Sequence, residues 1–158
     1  MAPAHISKHS GSMGLAAIIV ARFSRSLNSP CCLTGPDGQV RDRKWLGDYG
    51  EKVAVDFLLA TRHKVLATNY RGPRRGEVDI VARDGKLLLF VEVKTRRVGA
   101  KVRGLDAVGP DKQRLIERGA NAWLKSLGTR DIPWRFDVIE VSVEEGKPPR
   151  VNHVRDAF

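Results

Sequence analysis

The chain has 158 residues, enough for one domain with a buried core and a tail. Its 28 Lys and Arg residues outnumber its 18 Asp and Glu residues, and the net charge of +10 points to a polyanionic partner, either nucleic acid or an anionic membrane surface. Composition excludes a disulfide framework, because the two cysteines are adjacent, and a membrane-spanning helix, because no apolar run approaches the required ~20 residues.

The first forty residues have the composition of a loop, rich in serine, proline and glycine. We expect a poorly ordered tail over residues 1–40 and a compact domain over residues 41–158. A targeting peptide around the apolar run from Met13 to Ala21 is the alternative, although its cleavage-site pattern is weak.

Hydrophobic periodicity and turn residues predict two helices and five strands. In chain order they are a helix from Lys44 to Ala60, strands over Lys64–Tyr70, Glu77–Arg83 and Lys86–Lys94, a helix from Pro110 to Gly128, and strands over Trp134–Val143 and Arg150–Val154. The order α-β-β-β-α-β-β predicts an α/β fold with a mixed sheet flanked by helices.

The second and third strands form a predicted hairpin around Asp84 and Gly85, taken as a two-residue turn. Alternation places only apolar side chains on one face: Val78, Ile80, Ala82, Leu87, Leu89, Val91 and Val93. The other face carries Glu77, Asp79, Val81, Leu88, Phe90, Glu92 and Lys94. In this register Asp79 and Glu92 are diagonal neighbours, roughly 7–8 Å apart.

Two carboxylates on a half-covered face repel each other and lose hydration, so a bare fold would avoid them. A divalent cation shared by Asp79 and Glu92 relieves both costs, and oxygen ligands suit Mg²⁺ or Mn²⁺. Lys94 points the same way as Glu92, where it can orient or help deprotonate a water, or stabilise charge on a phosphate oxygen. A salt-bridged surface hairpin is the alternative, and the apolar Leu88 and Phe90 on the same face weaken it.

Three segments together resemble the PD-(D/E)XK nuclease superfamily: Gly50-Glu51, Gly76-Glu77-Val78-Asp79-Ile80-Val81 and Phe90-Val91-Glu92-Val93-Lys94. Within it the chain is similar to the uncharacterised bacterial YraN-type family, itself similar to Holliday-junction resolvases. Arg135-Phe136-Asp137-Val138 and the closing His153, Ala157 and Phe158 also fit that family. The resemblance covers about residues 44–158 and implies a restriction-endonuclease-like αβββαβ core.

The resemblance also implies roles for four residues. Asp79 and Glu92 would ligate the metal, Lys94 would be the catalytic lysine, and Glu51 would be a helix-borne acid that completes the catalytic and metal site. Resolvase-like relatives imply a homodimer, because paired cuts need paired sites.

The sequence leaves the roles of three positions open: Glu51, Glu77 and Gln113. Glu51 shares a helix face with Ala54 and Leu58 and so points to the core edge, yet an exposed helical glutamate is nearly as common. Glu77 is a weak site candidate. Gln113 either faces the site or caps its own helix.

Two basic runs flank the hairpin, and neither contains an acid. Their members are Arg71, Arg74 and Arg75 before it, and Arg96, Arg97, Lys101 and Arg103 after it. Either run alone is typical of a solvated surface, but two beside an acidic pocket favour phosphate contacts. Few aromatic residues accompany them, so we expect backbone-directed binding with little sequence specificity.

The function expected from these observations is a Mg²⁺- or Mn²⁺-dependent endonuclease that hydrolyses phosphodiester bonds of DNA, branched or damaged DNA included. The alternative is a nucleic-acid-binding protein that keeps the nuclease fold without cleavage. RNA processing is a third option, and a membrane-surface protein is disfavoured because no basic amphipathic helix stands out. Cysteines that form no framework favour the cytoplasm.

Overall fold

The computed structural model describes residues 25–100, 108–128 and 131–158. Its elements are α1 (Arg25–Asn28), α2 (Arg43–Ala60), β1 (Lys64–Arg71), a 3-10 turn (Pro73–Arg75), β2 (Glu77–Asp84), β3 (Leu87–Arg97), α3 (Pro110–Ser126), β4 (Trp134–Val143) and β5 (Arg150–Val154). The predicted α/β fold with its αβββαβ core is confirmed. None of the helices in these ranges has the length and apolar character needed to cross a bilayer.

The strands form one five-stranded sheet in the order β1-β2-β3-β4-β5. Neighbouring strands run antiparallel except β3 and β4, which are parallel. Parallel neighbours need a crossover connection, and α3 lies between them in the chain. The strand that carries Glu92 and Lys94 is therefore the central strand of a mixed sheet.

Apolar side chains cover both faces of the sheet. On one face, Val53 and Leu58 of α2 pack in a buried cluster with Val91, and on the other, Ile116 of α3 packs with Phe90. The prediction that Val78 shares a face with Ile80 and Val91 was wrong, since Val78 belongs to the buried cluster on the α3 side. The reason is Gly119 of α3, which has no side chain and lets the helix approach the start of β2 closely.

Residues 25–40 depart from the predicted tail. Cys31 is 1% exposed within the α2-side core, and it forms an isolated β-bridge with Glu145. Ser26 donates a hydrogen bond to the buried Asp56 of α2. The boundary predicted at residue 41 is wrong for this stretch, because its apolar and polar groups find partners on the domain. Residues 1–24 lie outside the described part of the chain.

Two glycines in α2 should respond oppositely to alanine. A Cβ on Gly50 would lie 2.7 Å from Thr95 Cβ, so Gly50→Ala should lower the free energy of unfolding by about 1–3 kcal/mol. A Cβ on Gly47 meets nothing within 4 Å, and Gly47→Ala should raise it by about 0.5–1 kcal/mol. Urea unfolding measures both, and equal effects would contradict the close packing of α2 on β3.

Candidate active site

The hairpin brings Asp79 and Glu92 near each other at the end of the β2–β3 pairing. Its paired residues include Asp84 with Leu87 and Ile80 with Val91, so the two-residue turn is Gly85-Lys86. The predicted register was wrong by two residues, because Gly85, with φ +57, takes the first turn position rather than the second. An even shift keeps the acids and Lys94 on their predicted face. The paired residues end at Ile80 and Val91, and Asp79 and Glu92 are the next residues along the two strands.

The carboxylate of Glu92 is buried and only partly satisfied. Glu92 is 3% exposed, and its Oε2 has no hydrogen-bond partner among the described residues. Asp79 is half-buried and accepts a hydrogen bond from the Val93 N–H at 2.8 Å, which fixes its carboxylate against β3. The pair is thus held on the α3 side of the sheet, with one buried oxygen left available.

Burial and the neighbouring charge of Asp79 raise the pKa of Glu92 to about 7, against the lowering effect of Lys112 and Lys94. The folded chain accordingly holds a carboxyl group that is costly to ionise at neutral pH. A divalent cation beside Glu92 would favour the charged form of its carboxylate, which is the property expected of a metal ligand.

Lys94 lies within reach of the acid pair. Its Nζ donates a hydrogen bond to Glu92 Oε1 at 3.0 Å, and its side chain is 43% exposed. Lys94 therefore presents its amino group at the mouth of the site, beside the buried carboxylate. The predicted grouping of Asp79, Glu92 and Lys94 on one face is present.

A second lysine, Lys112 in the first turn of α3, joins the group. Its Nζ lies 2.5 Å from Glu77 Oε1 and 3.2 Å from Glu92 Oε2. The contact with Oε2 is electrostatic, since its geometry is not that of a hydrogen bond. Sequence reasoning missed Lys112 and singled out its neighbour Gln113. A signal existed, because a lysine in a first helical turn opposes the helix dipole and calls for an acidic partner.

Glu51 does not join the acid pair. It accepts a hydrogen bond from the Asn69 side chain at 2.8 Å. It also lines a cleft of about 610 Å³ together with Val93 and Thr95 of β3, which point to the α2 side. Glu92 and Lys94 alternate with these residues and point the other way. The expected completion of the site by Glu51 is absent from this arrangement, because α2 covers the opposite face of the sheet.

The remaining donors still fit a hard cation. Within residues 25–100, 108–128 and 131–158, no three His, Cys, Asp or Glu side chains converge as a ready-made metal site. Mg²⁺ keeps several waters and commonly takes only one or two carboxylates from a protein. Asp79 and Glu92 supply two, and the buried Glu92 Oε2 lacks a hydrogen-bond partner in the described chain.

The basic residues lie at the same end of the hairpin as the acids, because β2 begins and β3 ends there. Arg71 forms an ion pair with Glu77, and Arg74 and Arg75 are exposed in the 3-10 turn. Arg96 is exposed and donates to Ser142, whereas Arg97 donates to the Arg41 carbonyl. The other two predicted contacts, Lys101 and Arg103, lie outside the described residues.

Known proteins resemble the chain over the region that holds this site. The profile of the uncharacterised protein family UPF0102 matches residues 50–141. A UPF0102 protein from Geobacter sulfurreducens is 47% identical over 115 residues, covering 73% of this chain and 89% of the relative. One from Geotalea uraniireducens is 43% identical over 117 residues, covering 74% and 91% respectively. One from Symbiobacterium thermophilum is 41% identical over 113 residues, covering 72% and 95%. The chain therefore belongs to the uncharacterised protein family UPF0102.

Proposed function

We propose that the chain is a divalent-metal-dependent endonuclease that hydrolyses phosphodiester bonds in DNA. The observation that carries the proposal is the buried Glu92 carboxylate, which feels the charge of Asp79 and has only one of its oxygens hydrogen-bonded, to Lys94. A buried carboxylate of this kind destabilises the fold unless a cation binds it. Buried carboxylates with perturbed pKa values also concentrate at functional sites. The excess of positive charge makes a polyanion the substrate of choice.

In this proposal each residue has a separate task. Asp79 and Glu92 would hold Mg²⁺ or Mn²⁺ through carboxylate oxygens. The bound ion supplies charge that offsets the negative charge developing on the phosphate and favours deprotonation of water. Lys94, hydrogen-bonded to Glu92, would donate to a phosphate oxygen or orient the attacking water.

The arginines beside the site would hold the DNA backbone. Arg74, Arg75 and Arg96 are exposed at the end of the hairpin where the acids lie. Guanidinium groups match phosphate geometry and carry no base preference by themselves. Binding should therefore weaken steeply with salt and depend on DNA shape more than on sequence.

The decisive experiment incubates pure protein with duplex, single-stranded and branched DNA, with Mg²⁺, Mn²⁺ or EDTA. We expect nicking or cutting that requires the metal. Branched substrates test the likeness to resolvases, and matched RNA substrates test RNA processing. Tight binding to DNA without cleavage of any substrate under any metal would overturn the proposal.

One observation favours a second candidate, a nucleic-acid-binding protein without cleavage. Lys112 already pairs with Glu77 and Glu92, so the acids have a protein cation near them, and Glu51 does not reach the pair. Metal-independent binding of DNA, unchanged by Asp79→Asn, together with no cleavage, is the result that this candidate requires.

A further inference from the structure

At the open end of the hairpin, Lys112 contacts the carboxylates of Glu77 and Glu92, and Asp79 acts on it electrostatically. Lys112 Nζ contacts Glu77 Oε1 at 2.5 Å and Glu92 Oε2 at 3.2 Å, and its side chain is 25% exposed. Burial lowers the pKa of Lys112, but the bond to Glu77 and the charges of Glu92 and Asp79 more than compensate, so its pKa lies above the ordinary value. The ammonium is therefore retained inside the acid cluster.

The packing of α3 holds Lys112 in this place. A Cβ on Gly76 would lie 2.7 Å from the Gly119 nitrogen, and one on Gly119 would lie 2.8 Å from Val78 Cγ2. The helix thus rests directly on the backbone at the start of β2 and has no room to slide inward. Lys112 lies about two turns before Gly119 on the same side of the helix, which directs it over the acids.

We propose that Lys112 is a built-in counter-ion that occupies the cation position of the site and is displaced from Glu92 when a divalent metal binds. The inference rests on the proposed function, in that the displacing ion is the nuclease metal. The Glu92 oxygen that faces Lys112, Oε2, is buried and has no hydrogen-bond partner in the described chain, which marks it as the available ligand. Mg²⁺ binds oxygen at about 2.1 Å, and it cannot approach this oxygen while an ammonium stays beside it without strong repulsion.

Glu77 is the group that keeps Lys112 nearby after displacement. Its carboxylate takes the shorter of the two contacts, and it also pairs with the exposed Arg71. The hydrogen bond from Lys112 lowers the pKa of Glu77, so Glu77 remains a charged anchor at neutral pH. Lys112 therefore weakens the resting affinity for metal and protects the fold from the repulsion of its own acids.

The test measures Mn²⁺ binding by calorimetry for the wild type, Lys112→Met and Arg114→Met. Arg114 lies on the same helix, is exposed, and pairs with Asp111, so its variant loses the same charge away from the acids. At about pH 8.5 protons compete little for the carboxylates, and Lys112→Met should bind Mn²⁺ about tenfold more tightly than the wild type. Arg114→Met should bind as the wild type does.

A melting experiment supplies a second readout. Without metal, Lys112→Met should melt below the wild type, because the acids lose their counter-ion, and Mn²⁺ should raise its melting temperature by more than it raises that of the wild type. If Lys112→Met does not fold, Lys112→Gln replaces it. This variant keeps a polar side chain, and we expect the same changes in Mn²⁺ affinity and melting temperature.

Two results would overturn the inference. One of them leaves the proposed metal site intact, and the other excludes that site as well. Metal affinity in Lys112→Met and Lys112→Gln that equals or falls below that of Arg114→Met removes the counter-ion role and leaves the metal site standing. Absence of Mn²⁺ binding in the wild type and in every variant removes the proposed metal site as well.

Discussion

Lys94→Ala should lower the rate of metal-dependent DNA cleavage by about 10²–10⁴-fold while DNA binding is largely retained. Lys94 Nζ is 3.0 Å from Glu92 Oε1 and partly exposed, so it can reach a substrate phosphate without supporting the core. Single-turnover cleavage and a separate binding titration in Ca²⁺ or EDTA distinguish the two effects.

Lys86 offers a matched control within the same hairpin. It is an exposed lysine in the turn at the far end of β2 and β3 from the acids. Lys86→Ala removes the same charge and should cleave at the wild-type rate. Equal losses of cleavage rate in both variants would show that Lys94 acts only through net charge. A wild-type cleavage rate in Lys94→Ala would exclude a catalytic role for Lys94.

Substitution of either carboxylate should affect metal binding as well as cleavage, unlike Lys94→Ala. Asp79→Asn and Glu92→Gln should each abolish cleavage and Mn²⁺ binding together, because each removes one of the two proposed ligand carboxylates. Glu92→Gln should not destabilise the metal-free protein, because it replaces a buried carboxylate whose ionisation burial opposes. Loss of cleavage with full Mn²⁺ binding would place these residues outside the metal site.

Except for Val78, the faces of the hairpin were predictable from sequence, whereas its register was not. Strict alternation from Glu77 to Lys94 assigned the acids and Lys94 to one face, and any even shift preserves that assignment. Glycine at position 85 suits either turn position, so the sequence alone could not choose between turns at Asp84-Gly85 and Gly85-Lys86. The observed turn, Gly85-Lys86, pairs Ile80 with Val91 and leaves Asp79 and Glu92 as the next residues of the two strands.

Side chains from distant segments were harder to place. Periodicity puts Glu51 on the buried side of its helix but does not say which face of the sheet that helix covers, and the structure places α2 opposite the acids. Lys112 is remote in sequence from Glu77 and Glu92, and only its place in a first turn hinted at a partner. Contacts across the sheet depend on layer packing, which local pattern does not encode.

Asp137 should matter most for stability. It is 0% exposed, and its carboxylate accepts hydrogen bonds from Arg135 Nε at 2.7 Å and from the Asp156 N–H at 3.0 Å. His153 Nε2 lies 2.8 Å away on its other oxygen. Asp137→Ala should cost about 3–5 kcal/mol of unfolding free energy, because it leaves Arg135 and His153 without their anion.

Glu140, in the same strand, is the control for that loss. It accepts a hydrogen bond from Asn152 of β5 at 2.8 Å at the surface. Glu140→Ala should change the free energy of unfolding by no more than about 0.5 kcal/mol, because exposed polar pairs contribute little. Urea unfolding of both variants at neutral pH gives the comparison, and similar losses would mean that burial of Asp137 adds nothing.

The pH dependence of Asp137→Asn tests the electrostatic part of this role. Burial raises the pKa of Asp137, but its bonds to His153, Arg135 and the Asp156 N–H outweigh it and hold the pKa below the ordinary value. A depressed folded pKa contributes stability above the unfolded pKa, and that contribution is lost as pH falls through the folded pKa. The difference in unfolding free energy between the wild type and Asp137→Asn should therefore be largest at neutral pH and shrink below about pH 4. A constant difference across that range would mean that Asp137 acts through shape alone.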